Sequence, residues 1–181
     1  MTIKKFSMTL TMLVAPLFAQ GPGFGPGRTP VTQPPTEEEV GVLTLMREEE
    51  KLARDVYRFL NERWNLTVFA RIAESEQQHF TAVGNLLARY KIADPVLSDT
   101  PGVYTNEAFS KLYTEFTAKG SASVKDALEV GVLIEKFDIA DLERSLPMTN
   151  KFDIKRVFTN LMLASYNHLE AFEFNLEILG E

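Results

Sequence analysis

Residues 43–64 read LTLMREEEKLARDVYRFLNERW, and the order of apolar and polar residues in this stretch decides the fold class. Apolar residues recur at intervals of three and four, which is the spacing of one face of an α-helix. They are Leu43, Met46, Ala53, Tyr57, Leu60 and Trp64. Upstream, Thr36 and Glu39 form a capping-box pattern that marks where the helix begins. The stretch therefore predicts a first long helix over residues 37–64.

The same periodicity predicts three more long helices downstream, over residues 68–90, 124–145 and 153–179. The segment between the second and the third is interrupted by proline and glycine. Within it, Asn106 caps a short amphipathic helix that stops at Gly120. No stretch carries the alternating pattern of a β-strand.

The lengths of the connections indicate how the four long helices are arranged. Short links join the first helix to the second and the third to the fourth, and short links make antiparallel neighbours. The long connection can travel the length of the bundle before the third helix starts. The predicted fold is therefore all-α: a ferritin-like four-helix bundle whose long crossover between helices 2 and 3 contains a short extra helix.

The first part of the chain differs in composition from the rest. Residues 1–19 combine two early lysines with a short apolar run and a small residue, Ala19, which is typical of a secretory signal peptide. The apolar run of about a dozen residues is short against the roughly twenty that span a bilayer. Residues 20–36 are rich in glycine and proline and predict a linker, followed by the helical domain at 37–181. We expect export, to the periplasm or the exterior, and no membrane attachment after cleavage.

Composition excludes several classes of function. The chain has 181 residues, a formal net charge of -6 and no cluster of basic residues, so we expect no nucleic-acid partner. It contains no cysteine, which excludes disulfides and thiolate chemistry. Any metal site must therefore be built from oxygen and imidazole ligands.

Ionisable residues fill the gaps in the apolar stripes, and every long helix contributes at least one of them. Both histidines of the chain are among these residues, and Glu76 and His79 have the i, i+3 spacing that puts two donors on one helix face. The candidate metal ligands are Glu50, Glu76, His79, Glu135, Asp138 and His168.

A group of buried carboxylates is unstable without a cation, because burial and mutual repulsion drive the acids to protonate. Two divalent ions would balance four carboxylates, and two neutral imidazoles would complete the coordination without adding charge. The sequence therefore predicts two divalent metal ions, which iron, zinc or manganese could supply.

Other interpretations of these residues stay open. A histidine on an apolar face is often a hydrogen-bonded core residue, and Asp138 could instead pair locally with Lys136 or Arg144. Beside Glu50, the side chains of Glu48 and Glu49 are expected to form an exposed charged run. Met46 is expected to be plain core, and Tyr57 a hydrogen-bond donor to a ligand.

Two motifs resemble known signatures. Glu50-x-x-Ala53-Arg54-x-x-Tyr57 and Glu76-x-x-His79 resemble the first two helices of rubrerythrin-like members of the ferritin-like superfamily. More closely, four stretches resemble the family called domain of unknown function 2202, over about residues 37–180: REEEKLARDVY, SEQQH, GVLIEKFDIADL and Asn167-His168-Leu169.

The resemblance implies a metal-binding protein, with a di-iron or mixed-metal site that reacts with oxygen or peroxide if it is an enzyme. Di-iron members repeat Glu-x-x-His on the fourth helix, where this chain has Ser165, and Asp138 is the candidate replacement. The alternative is a non-enzymatic exported binding module with a structural metal or a buried polar network. The expected partners are metal ions and, in a homodimer, a second copy of the chain.

Overall fold

The computed structural model describes residues 33–180, and every regular element within them is helical, which confirms the all-α class. The predicted helix bounds differ from the observed ones by one residue at most. Within 33–180, no helix has both the length and the apolar composition needed to cross a membrane. The predicted signal peptide, 1–19, and linker residues 20–32 lie outside the described residues. The helices are α1 (Glu37–Trp64), α2 (Thr67–Tyr90), α3 (Glu107–Gly120), α4 (Val124–Ser145) and α5 (Phe152–Gly180), with a 3₁₀ turn at Leu146–Met148.

The beginning of α1 is fixed by the predicted capping box. Thr36 Oγ1 accepts from the backbone N–H of Glu39 at 3.1 Å, and the Glu39 carboxylate accepts from the N–H of Thr36 at 2.9 Å. The second carboxylate oxygen of Glu39 accepts from the Thr149 hydroxyl at 2.6 Å. One side chain therefore both caps α1 and ties it to the segment that follows α4.

Cross-helix hydrogen bonds define the direction of α4 relative to α1. Tyr57, late in α1, donates to Glu135 near the middle of α4 at 2.6 Å. Glu39, at the start of α1, contacts Thr149 beyond the end of α4. The two helices are therefore antiparallel.

The same reasoning applies to α2 and α5. Ser75, early in α2, contacts His168 in the second half of α5, while Tyr90 at the end of α2 donates to Asp153 at the start of α5. These helices are also antiparallel.

The first two helices are antiparallel as well, because Arg47 donates to the carbonyl of Phe80 and Arg54, further along α1, donates to Gln77. Since α2 and α4 both run opposite to α1, they are parallel to each other. A parallel pair needs a connection that travels the length of the bundle, and residues 91–123, which include α3, provide it.

The apolar core consists of two clusters at different heights along the bundle. The first contains Leu60, Phe69 and Phe172, and the second contains Leu43, Met46, Val83, Leu142 and Phe158. Met46 is buried in the second cluster, as expected. On every long helix the candidate ligands fall between the residues of one cluster and those of the other. The bundle therefore has a polar layer between two apolar ones.

A buried network of charges holds the crossover against α1. Asp55 accepts from the Lys51 ammonium at 2.7 Å, the Arg54 guanidinium at 2.8 Å and the Tyr104 hydroxyl at 3.0 Å. Lys51 also donates to the carbonyl of Thr100 at 2.9 Å. Arg54 also pairs with Asp99 at 2.6 Å, so two carboxylates balance the two buried cations. Because loss of either acid would leave a buried charge unpaired, the network stabilises only as a complete set.

The prediction that Glu48 and Glu49 are exposed is wrong. Both are buried, and residues 48–57 are buried without interruption. The carboxylate of Glu48 accepts from the backbone N–H groups of Thr105 and Asn106 in the crossover. The helical spacing of apolar residues shows only the side of α1 that faces the other long helices. Glu48 is on another side, which the crossover covers.

Candidate metal centre

The polar layer contains all six predicted ligands, and each is buried. Exposure is 1% for Glu50 and Glu135, 2% for Glu76, 6% for Asp138, and 8% for each histidine. We call these six side chains the acid–histidine layer. They come from α1, α2, α4 and α5, so each long helix of the bundle contributes.

Three of the side chains form a compact group between α1 and α2: Glu50, Glu76 and His79 each offer a ligand atom, and the atoms all lie within 4.8 Å of one another. His79 Nδ1 is 2.8 Å from Glu76 Oε2 and 3.3 Å from Glu50 Oε2. Glu76 and His79 converge because they lie one turn apart on α2. We call this group the Glu50 set.

A second group joins α2 to α4 and α5. Glu76, Glu135 and His168 again offer atoms within 4.8 Å of one another. His168 Nδ1 is 2.8 Å from Glu76 Oε1 and 3.5 Å from Glu135 Oε2. We call this group the Glu135 set. Glu76 belongs to both sets and presents one carboxylate oxygen to each histidine.

The two imidazole rings contact this shared carboxylate and are roughly parallel to each other. The ring centroids of His79 and His168 are 5.7 Å apart, and the ring planes differ by 27°. In each ring it is Nδ1 that faces the carboxylates. Both histidines therefore have the same orientation toward the centre of the layer.

Several atoms of the layer have no hydrogen-bond partner. Although Glu76 Oε1 and His168 Nδ1 are 2.8 Å apart, neither makes a hydrogen bond of acceptable geometry. Within residues 33–180, the buried side-chain polar atoms in this condition are Glu49 Oε2, Glu50 Oε1, Glu76 Oε1, Asp138 Oδ1 and His168 Nδ1. Buried polar groups are rarely left unpaired, and four of these five atoms belong to the acid–histidine layer. Once deprotonated, these atoms would offer their lone pairs to a cation.

Asp138 lies in the layer but in neither compact set. The fully buried Ser165 hydroxyl donates to its Oδ2, and its Oδ1 has no partner. The local pairings considered for Asp138 are not formed, since Lys136 contacts Glu173 and Arg144 contacts Asp141. Ser165 therefore orients an acid on the neighbouring helix.

Burial makes most of the acids hold their protons. Burial, with the charge of Asp138 next, raises the pKa of Glu49 to about 8 and raises that of Glu50. Burial and the Glu76 charge raise the pKa of Glu135 to about 8 and that of Asp138 to about 6. Without a cation, the folded chain therefore retains protons that these acids would lose in water.

Glu76 behaves differently from the other acids. Burial favours its protonation, but the facing imidazoles of His168 and His79 outweigh burial and lower its pKa to about 2. Burial likewise opposes charge on the histidines, yet the facing carboxylates raise the pKa of His79 to about 11 and that of His168 to about 9. The layer is thus a shared carboxylate between two imidazolium groups, and a metal ion that bound there would have to displace their protons.

Two further side chains contribute to the centre. The fully buried Tyr57 donates to Glu135 Oε1 at 2.6 Å, which is the ligand-orienting contact expected of it. Burial and the Glu135 charge raise the pKa of Tyr57 well above its ordinary value, so the hydroxyl keeps its proton. Sequence reasoning did not identify Ser75, whose hydroxyl lies 3.0 Å from His168 Nε2. The feature of the sequence that could have identified Ser75 is its position immediately before Glu76.

These features define a class of protein: a helical bundle with a buried layer of carboxylates and histidines between two apolar clusters. The chain belongs to the family described as "Uncharacterized protein domain (DUF2202)", which matches residues 39–181.

One relative and its solved structure show how far the similarity extends. The uncharacterized protein MJ0754 of Methanocaldococcus jannaschii is 53% identical over 140 residues, which are 77% of this chain and 76% of that protein. The crystal structure of hypothetical protein MJ0754 superposes with a TM-score of 0.81 at 49% identity, covering 85% of this chain and 88% of the other. Neither name states a function.

Proposed function

We propose that the chain is an exported metal-binding protein of the ferritin-like superfamily that holds two divalent ions in its acid–histidine layer. One observation carries the proposal: Glu76 directs one oxygen into the Glu50 set and the other into the Glu135 set. A carboxylate shared in this way is the arrangement of a bridging ligand. Four long helices with one long crossover support the superfamily assignment.

The distances within each set fit one coordination shell. Metal–ligand bonds of about 2.1 Å at right angles place neighbouring ligand atoms about 3 Å apart. The His79 and His168 Nδ1 atoms lie between 2.8 and 3.5 Å from their carboxylate neighbours. Carboxylate and imidazole ligands suit iron, manganese and zinc, and we favour iron because of the resemblance of the motifs.

The proposed chemistry follows from what surrounds the layer. Bound iron would supply electrons and open coordination positions for oxygen or peroxide. The chain itself would keep bulk water out with its apolar clusters, hold Glu135 with Tyr57 and hold Asp138 with Ser165. Neutral histidines would bind through Nδ1 once their protons had left.

A second candidate function is a non-enzymatic binding module whose layer is a hydrogen-bonded network. The hydrogen bond of 2.8 Å between His79 and Glu76 and the Ser165–Asp138 hydrogen bond favour it. In that case the histidines would stabilise the fold equally with and without metal.

The two candidates are separated by the metal content and by histidine variants. We expect the purified mature protein, loaded anaerobically with ferrous ion, to retain about two ions per chain. In His79→Ala and His168→Ala, the rise in melting temperature that metal gives the wild type should be largely lost.

The exposed neighbour Asn167→Ala is the matched control and should keep that rise. Elemental analysis that finds no retained metal would reject the metal site. A loss of stability in the histidine variants that is equal with and without chelator would support the network instead.

Export is part of the proposal and has its own test. Residues 1–19 have the composition of a signal peptide, and cleavage after Ala19 would leave Gln20 as the first residue. We expect intact-mass and N-terminal analysis of protein from its own host to give this start. Recovery of a chain that still begins at Met1 would contradict export by cleavage.

A further inference from the structure

The two ligand sets differ in the contacts that support them from outside the layer. In the Glu135 set, Tyr57 donates to Glu135 at 2.6 Å, and the Ser75 hydroxyl lies 3.0 Å from His168 Nε2. Within residues 33–180, no side chain outside the layer makes a hydrogen bond to Glu50 or His79. Two ligands of the Glu135 set therefore contact side chains outside the layer, whereas Glu50 and His79 contact only other members of the layer.

The Ser75 contact determines how His168 presents its ring. Ser75 and Glu76 are consecutive on α2, and they contact the two nitrogens of one ring on α5. When Nε2 donates its proton to the Ser75 hydroxyl, Nδ1 is left to offer a lone pair toward Glu76 and Glu135. Ser75 therefore fixes both the rotation of the ring and the nitrogen that faces the centre.

We propose that the two metal positions fill in order, the Glu135 set first, and that Ser75 is a positioning residue that establishes this order. The inference rests on the proposed function. Ligands that are already held lose less conformational freedom when an ion binds, so the supported set should have the higher affinity. Loss of an outer hydrogen bond to a metal ligand typically weakens binding about 10- to 100-fold.

Stepwise titration of the full, folded, metal-free chain with cobalt(II) tests the order. Binding is monitored by calorimetry and by visible absorption. We expect two resolved steps in the wild type. Ser75→Ala should weaken the tighter step about 10- to 100-fold and leave the weaker step in place. Ser75→Thr keeps a hydroxyl and should restore the tighter step.

Carboxylate variants identify which set gives which step. Glu135→Gln should remove the tighter step, and Glu50→Gln the weaker one. Ser110→Ala on α3 is the matched control, because Ser110 is a half-buried helical serine whose side chain makes no hydrogen bond within residues 33–180. It should change neither step.

A spectroscopic signal separates positioning from general stability. In the zinc-loaded protein, the Nε2–H proton of His168 should be protected from exchange in wild type and Ser75→Thr, and should exchange rapidly in Ser75→Ala. A wild type that binds no cobalt would reject the proposed function itself. Three results would overturn the proposed order of filling while leaving the metal site in place. They are binding of both ions in a single step, loss of the tighter step in Glu50→Gln, and unchanged steps in Ser75→Ala.

Discussion

Replacing Glu76 by Gln is expected to abolish both metal positions, whereas Glu50→Gln and Glu135→Gln each abolish only one. The carboxylate of Glu76 is the one group shared by the two ligand sets, with Oε2 and Oε1 each 2.8 Å from a histidine Nδ1. An amide has a single oxygen and no charge, so it cannot serve both sets. Loss of the Glu76 carboxylate also removes one of the two acids that raise the pKa of each histidine, so both pKa values should fall.

The measurement is the number of ions bound per chain, by elemental analysis after gel filtration and by calorimetric titration. Glu74→Gln is the matched control, since Glu74 is exposed two residues away on α2. It should bind as the wild type does. If Glu76→Gln kept the metal content of the wild type, a shared bridging carboxylate would be excluded.

The metal-free protein is expected to lose stability as the pH rises from about 5 to 9, and bound metal should cancel or reverse this trend. Burial raises the pKa of Glu49 and of Glu135 to about 8 in the folded chain, from 4.5 in an ordinary glutamate. The unfolded chain therefore releases these protons first, and folding becomes less favourable across pH 4.5 to 8.

The histidines act in the same direction at higher pH. The facing carboxylates raise the pKa of His168 to about 9 and that of His79 to about 11, above the ordinary 6.5. Their contribution is fully present below pH 6.5 and is lost as the pH rises through these values. Glu76, with its pKa lowered to about 2, acts oppositely: its contribution is present above pH 4.5 and is lost in acid. Maximum stability should therefore lie near pH 5.

Thermal unfolding between pH 4 and 9, with chelator and with excess zinc, checks this profile. Metal replaces the protons of the layer, so metal-loaded protein should gain stability as the pH rises and the ligands deprotonate more easily. Glu49→Gln should flatten the slope of the chelated protein, because it removes one buried acid. A chelated protein whose melting temperature increases steadily up to pH 9 would contradict the protonated layer.

The sequence predicted the helices well because their limits are set by local chemistry. The capping box at Thr36 and the Asn106 and Ser123 caps act within a few residues and make the hydrogen bonds expected of them. The six ligand candidates were found for a related reason. Polar residues interrupting an apolar stripe at helical spacing must face the inside, and all six are buried.

What the sequence did not predict depends on contacts between distant segments. Glu48, Lys51 and Asp55 lie off the apolar stripe of α1, and they are buried because the crossover covers them. Ser75 gave no signal beyond its place next to Glu76, since its role arises from a ring on α5. Helical periodicity describes one helix at a time, so it cannot show which segment covers its other sides.

The most direct test of the metal site is a crystal structure of protein loaded with manganese or zinc, with anomalous data collected on both sides of the metal edge. We expect two peaks about 3.5–4 Å apart inside the acid–histidine layer. One should be bound by Glu50, Glu76 and His79, and the other by Glu76, Glu135 and His168. If anomalous peaks were found only on the protein surface and none in the acid–histidine layer, the proposed site would be contradicted.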